Sequence, residues 1–392
     1  MSNQLPKICA GFLPLNDAAI LIAAKELGFD KEQGFSLDLI KENSWANIRD
    51  RMAIGHFQMA QMLAPMPVAA SMGLSPLPLD IIAPMALGVG GNAITVSTAL
   101  SHEIRSIAGE TNLSAKETGQ ALAEVVASRK SNNNTSPLCF GVVHPYSSHN
   151  YDLRYWLAAS GIQPDDDIQI VIMPPAMLPA ALEAGNIDGY CVGEPWNSIG
   201  VEKGVGEILT VKSNIWRHSP EKILGVSKGF AEEEPELLRA AIRAFYISAK
   251  WCQDSTNHCE LADLLSQDKY IGQPSDIIIR ALSGNLKIDD QKSVTIEGFF
   301  DPYKDQATYP WQSHALWFYT QIQRWRGNSW DEEQATAAMH SFRPDIYIEA
   351  LKPLAENLPT AVSKIETSAN FFDGRVFDPD HADTYLSDDQ AL

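Results

Sequence analysis

Over residues 1–250, short apolar runs alternate with segments in which apolar residues recur every three or four positions. Runs of the first kind read as strands and segments of the second kind as amphipathic helices. Strands are predicted at 7–12, 35–41, 79–87, 92–98, 138–143, 168–174, 188–192, 207–212 and 222–227. Helices are predicted from Ala18 to Leu27 behind a cap at Asn16 or Asp17, from Trp45 to Ile54 behind Ser44, and from Ser114 to about Arg129. Others run from about Asn150 to Ser160, from Leu178 to Ala184 and from Pro235 to Gln253. Beyond residue 255 the pattern holds helices only, at 259–265, 275–283, 311–325 and 332–340.

Alternating strands and helices predict an α/β protein with largely parallel sheets. The order passes through one sheet, crosses near residues 97–100, builds a second sheet to about 195 and returns. Two lobes follow: residues 1–97 with 198–392 form lobe I, including a helical extension from about 255, and 98–197 form lobe II. A small-ligand cleft is expected between them. The Ser131–Ser136 stretch, SNNNTS, reads as a flexible loop.

Composition narrows the choice of function. At 45% hydrophobic and 20% charged residues, the 392-residue chain has the make-up of a folded soluble protein. Its 49 acidic against 30 basic residues give a formal charge of -19, which repels nucleic-acid backbones and anionic lipid. No run approaches the ~20 apolar residues of a membrane helix. The opening MSNQLPKICAGF lacks the parts of a secretory signal, so a cytoplasmic location is expected. Five scattered cysteines, Cys9, Cys139, Cys191, Cys252 and Cys259, fit reduced thiols.

Catalytic motifs match only by letter. Gly88-Val-Gly90-Gly-Asn-Ala93 resembles a dinucleotide fingerprint, but a strand follows where a helix is required. Gly225-Val-Ser227-Lys-Gly229 resembles a nucleophile elbow, yet Phe230-Ala-Glu-Glu-Glu-Pro235 reads as a non-helical interruption after the serine. His102-Glu103 has no second histidine four residues on, and no Cys-x-x-Cys is present, so a metal site is not expected. These readings favour a binding protein over an enzyme, and no cofactor is expected.

One constellation does cohere. Ser44-Trp45-Ala-Asn-Ile-Arg49, Met62-Leu-Ala-Pro-Met-Pro67, Gly91-Asn92-Ala-Ile-Thr95, and His149 ahead of Leu153-Arg-Tyr-Trp-Leu occur in order. They are followed by Gly185-Asn-Ile-Asp-Gly-Tyr-Cys-Val-Gly-Glu-Pro-Trp196 and His218-Ser-Pro-Glu-Lys-Ile-Leu-Gly225. Together they resemble the nitrate/bicarbonate solute-binding proteins, over roughly residues 7–345. The resemblance implies a two-lobed, class II periplasmic-binding-protein-like fold, with two mixed or mostly parallel sheets and flanking helices. It places ligand-binding residues for nitrate or nitrite at Lys222, His149, Trp45 and Asn92, with the Gly91 backbone beside them.

The chemistry of these groups suits such a ligand. Nitrate offers three acceptor oxygens, one diffuse charge and no proton, so its site needs donors only. The Trp45 indole, Asn92 amide, His149 ring and Gly91 backbone N–H would orient it, and Lys222 would supply the matching charge. Bicarbonate also donates a proton and would favour a nearby carboxylate; a central lysine therefore favours nitrate or nitrite. Each residue also has a plain structural reading. Lys222 could pair with Glu221, Trp45 could fill the core, His149 could cap its helix, and Asn92 could serve a turn.

Leaderless chains of this kind resemble cytoplasmic nitrate/nitrite sensors of NasS type. The resemblance implies a partner, an RNA-binding antiterminator protein of NasT type, held until the anion binds. Two alternatives stay open: the solute-binding component of a nitrate or bicarbonate ABC importer, and an enzyme of thiamine-precursor synthesis sharing the fold.

Overall fold

The computed structural model describes residues 5–131, 136–355 and 357–390. The expected loop at 131–136 lies almost entirely outside them. Among the described residues ten strands carry the two main sheets, and a two-residue strand, β5, stands apart with its own partner. In chain order they are β1 (Lys7–Phe12), β2 (Ser36–Lys41), β3 (Met59–Leu63), β4 (Ile81–Ala86), β5 (Val89–Gly90), β6 (Asn92–Ser97), β7 (Leu138–Val142), β8 (Ile168–Ile172), β9 (Gly189–Gly193), β10 (Gly206–Val211) and β11 (Lys222–Ser227). The first sheet has the order β2-β1-β3-β11-β4 and the second β10-β6-β9-β7-β8.

Both sheets are mixed. Helical crossovers make β1, β2 and β3 parallel to one another, and β7 parallel to β8 and β9. The strands that enter from the other lobe run the opposite way: β11 is antiparallel to β3 and β4, and β6 is antiparallel to β9 and β10.

The lobe boundaries differ from those expected at 97/98 and 197/198. Both β6 and β10 belong to the second sheet, so the chain crosses within residues 87–91 and returns through 212–221. Periodicity marks where strands lie, but only hydrogen bonding decides which sheet each one joins. At the first crossing, β5 pairs with Phe300–Asp301, and a Cβ on Gly90 would lie 2.3 Å from the Phe299 carbonyl oxygen. Gly90 has φ +73°, which together with that approach requires glycine.

The C-terminal region is not purely helical: short strands at Asn285–Lys287, Ser293–Thr295 and Phe300–Asp301 interrupt it. Its helix Gln312–Arg326 packs Trp317 against Trp216 of the return segment, with ring centroids 4.6 Å apart. Phe371 stacks on the same indole at 5.0 Å. Backbone hydrogen bonds from Arg217 N to Asn370 O and from Phe372 N to Ile215 O stitch the two segments together. The Tyr155 hydroxyl, on the second lobe's helix Ser148–Ala159, donates to Asp373 Oδ2 at 2.8 Å. The extension thus braces both the return segment and the second lobe, rather than belonging to lobe I alone.

As expected, the glycine-rich run 88–93 leads into a strand. The elbow reading needs correction, because the helix Lys228–Glu233 begins directly after Ser227. Even so, among the described residues no hydrogen bond joins the Ser227 hydroxyl to a histidine, so the arrangement of a nucleophile and its base is lacking.

Candidate functional site

Where two sheets exchange strands, the carboxyl ends of strands and the amino ends of helices converge. Trp45 opens the helix Trp45–Ala53 after β2, behind Ser44, whose hydroxyl accepts from Asn47 N. His149 is the second residue of Ser148–Ala159 after β7; Ser147, not His149, caps that helix by accepting from Asn150 N. Asn92 begins β6 and Lys222 begins β11, at the two connections between lobes. Asp17 lies in the short helical turn after β1.

Folding brings these groups into one buried cluster. Lys222, His149 and Trp45 are fully buried, and Asn92 nearly so. The Lys222 ammonium lies 5.3 Å from the Trp45 ring centroid, over its negative face. It also pairs with Asp17 Oδ2 at 2.9 Å and with Glu221 Oε1. Glu221 Oε2 accepts from the Asn92 amide at 2.6 Å and from the Ser148 hydroxyl and Lys212. His149 Nε2 stands 3.3 Å from Glu221 Oε1 without hydrogen-bonding alignment. Lys212 further contacts Asp152 Oδ2 at 2.9 Å and the Pro220 carbonyl at 2.8 Å.

Among the described residues two of the expected donors have no acceptor: the Trp45 indole N–H, and the His149 ring, whose nitrogens have no hydrogen-bond partner. Unpaired buried polar groups of this kind are rare and costly. The Gly91 backbone N–H departs from expectation, because it already donates to the Phe299 carbonyl at 2.6 Å. Local strand pairing across the crossing consumes it, which removes Gly91 as a free donor. Neither the cap reading of His149 nor the turn reading of Asn92 holds, while the core reading of Trp45 and the Glu221-paired reading of Lys222 both do.

Electrostatics explains how charge is kept in a dry site. Burial drives His149 down to about 3, leaving the ring neutral at ordinary pH. Burial opposes ionisation of Glu221, yet the facing ammonium groups of Lys212 and Lys222 hold its carboxyl well below the usual range, with no charge contributed by the neutral His149 ring. Burial pushes Asp152 up to about 6, with Lys212 pulling the other way, and pushes Asp17 up against the pull of Lys222. Lys212 is lowered by burial but raised further by Asp152 and Glu221, so it stays charged.

Sequence reasoning missed Asp17, Lys212, Asp152, Ser148 and Gln61. Asp17 was expected as a helix cap; instead its Oδ1 accepts from Gln61 Nε2, while Gln61 Oε1 accepts from Leu13 N at 2.8 Å. Gln61 sits in the fully buried β3, where a polar side chain amid Met59-Ala-Gln-Met-Leu63 was the available signal. Nothing in the linear pattern marks Lys212 or Asp152, which meet only through the return segment. Among the described residues no group of His, Cys, Asp and Glu is arranged to hold a metal ion.

With this geometry in view, comparison with known proteins is informative. The NMT1-like family matches residues 2–266. The nitrate/nitrite binding protein NrtA of a Nostoc species is 31% identical over 394 residues, covering 98% of this chain and 86% of that protein. The nitrate import ATP-binding protein NrtC of a Synechocystis species is 32% identical over 98% of this chain, which spans only 55% of that longer protein. The crystal structure of the periplasmic nitrate-binding protein NrtA from Synechocystis superposes with a TM-score of 0.89, at 28% identity and 98% coverage of both chains. The match extends through the C-terminal extension as well as the two lobes, and the chain belongs to the NMT1-like family and, within it, to the nitrate/bicarbonate solute-binding proteins.

Proposed function

We propose that this protein binds nitrate or nitrite at the buried junction of its lobes, with Lys222 as the cation and Trp45, His149 and Asn92 as orienting donors. The observation that carries the reading is the pair of unpartnered buried donors, Trp45 and His149, beside the Lys222 ammonium. A planar oxyanion accepts from all of them at once. Calorimetric titration with nitrate, nitrite, bicarbonate and sulfate tests it. Nitrate or nitrite binds, sulfate does not, and Lys222→Ala weakens binding by about 10- to 100-fold, the worth of one charge-assisted bond. An unchanged affinity in the variant removes Lys222 from the site.

The finer role proposed is that of a cytoplasmic sensor which holds an RNA-binding antiterminator of NasT type and releases it when the anion binds. A ligand that draws two lobes together shifts a partner preferring the open form. A co-purifying RNA-binding protein that dissociates on addition of nitrate supports this role; a complex indifferent to nitrate refutes it. Service in an ABC importer is the second reading, supported by the import proteins among the relatives. Bicarbonate is the alternative ligand there, favoured by the Glu221 and Asp17 carboxylates at Lys222, which could accept its proton. Preference for bicarbonate over nitrate in the same titration would decide for it.

A further inference from the structure

Resting on the oxyanion reading, we infer that Glu221 acts as a built-in counter-anion and that an external anion enters this site together with one proton. The geometry is that of a site already holding a carboxylate: Glu221 takes the Asn92 amide, the Ser148 hydroxyl and both lysines, and stands against His149. These are the donors an oxyanion would use. Glu221 precedes β11 directly and its backbone carbonyl accepts from Ala64 N at 3.1 Å, so the chain cannot swing it far from the donors.

Charge balance then dictates the coupling. Two ammonium groups, Lys212 and Lys222, face three carboxylates, Asp17, Asp152 and Glu221, all buried. Among the described residues, the other titratable groups that face this cluster add no positive charge. His149 is neutral, the Cys191 thiol of β9 is pushed well up by burial, and His314, which senses Lys212 from the helix Gln312–Arg326, is lowered by burial to about 4. A second unneutralised anion in so dry a place is strongly unfavourable. When the incoming anion takes Lys222, Asp17 keeps the Gln61 amide, whereas Lys212 is left to serve Glu221 and Asp152 Oδ2, which has no other donor, loses its share of that ammonium. Asp152 is thus the group to accept the proton, consistent with its upward displacement to about 6. The proton comes from solvent or buffer and binds a carboxylate oxygen; no other bond changes.

The sign follows by linkage. Below about pH 6 Asp152 already carries the proton and affinity is flat. Above it, each pH unit weakens binding by up to about tenfold, until the anion-bound form also releases the proton. The test uses the full chain and potassium nitrate, which does not itself titrate. Isothermal titration near pH 7 in Pipes and in Tris, whose ionisation heats differ, reports proton uptake, and dissociation constants are followed from about pH 6 to about pH 8. About one proton per nitrate is expected, with affinity falling about tenfold between pH 7 and pH 8, and Asp152→Asn losing both effects. Binding with equal heats in the two buffers and a flat pH profile overturns this inference while leaving the oxyanion site intact. Proton uptake that persists in Asp152→Asn overturns the assignment to Asp152. Failure of nitrate to bind at any of these pH values overturns the oxyanion reading and this inference with it.

Discussion

Trp45 carries two roles in one side chain. Its ring is fully buried beneath the Lys222 ammonium and its N–H has no acceptor among the described residues. Trp45→Phe keeps most of the packing and the aromatic face but deletes the donor. Because that donor is unpaired in the fold, its removal costs the folded state nothing, and the loss of ring volume costs about 1 kcal/mol. Nitrate affinity, by contrast, falls about fivefold to tenfold for the lost neutral hydrogen bond. Thermal denaturation and titration of the same sample check the pair, and unchanged affinity would remove the indole from ligand contact. At this scale the sequence was informative about Trp45, His149, Asn92 and Lys222, which meet in one cluster. It was silent on Lys212 and Asp152, since a buried ion pair between residues 60 apart leaves no periodic trace.

At the scale of elements, the clearest misreading was β3, a central strand that the apolar pattern did not reveal. Gln58 just before it and Gln61 within it break up the apolar run, and both amides are used: Gln58 Oε1 accepts from Cys9 N and Gln61 Oε1 from Leu13 N, each at 2.8 Å. A strand buried on both faces loses period-two patterning, and polar residues there survive only through such bonds. The strands at 285–301 were missed because they are two or three residues long and rest on tertiary contacts. The C-terminal segment makes a testable claim. Phe371 fills the space over Trp216 and Trp317, so Phe371→Ala should destabilise the protein by about 3–5 kcal/mol. Denaturant unfolding measures this, with hydrogen exchange expected to rise first in residues 366–377, whose ends pair at Glu366 and Phe377. An unchanged midpoint would show that the segment does not brace the return path.

For the molecule as a whole, alternation of strands and helices was enough to establish an α/β class, and the ordered motifs pointed to a two-lobed anion-binding family. Those features are local: propensity, periodicity and short motifs are written along the chain. Which sheet each crossing strand joins was decided only in three dimensions, because β6 and β10 read identically in either sheet until their hydrogen-bond partners are known. The charge of the site was also a tertiary outcome. A chain with a net charge of -19 gives no hint that two lysines and three carboxylates will share one dry junction. Burial makes that arrangement matter, since desolvation turns a few neighbouring charges into a balance that any incoming anion must respect. Sequence by itself determined the fold class, the family, the lysine and its neighbouring glutamate; tertiary structure decided that Asp17, Lys212 and Asp152 join them, because Coulombic pairing depends on distance in space and not along the chain.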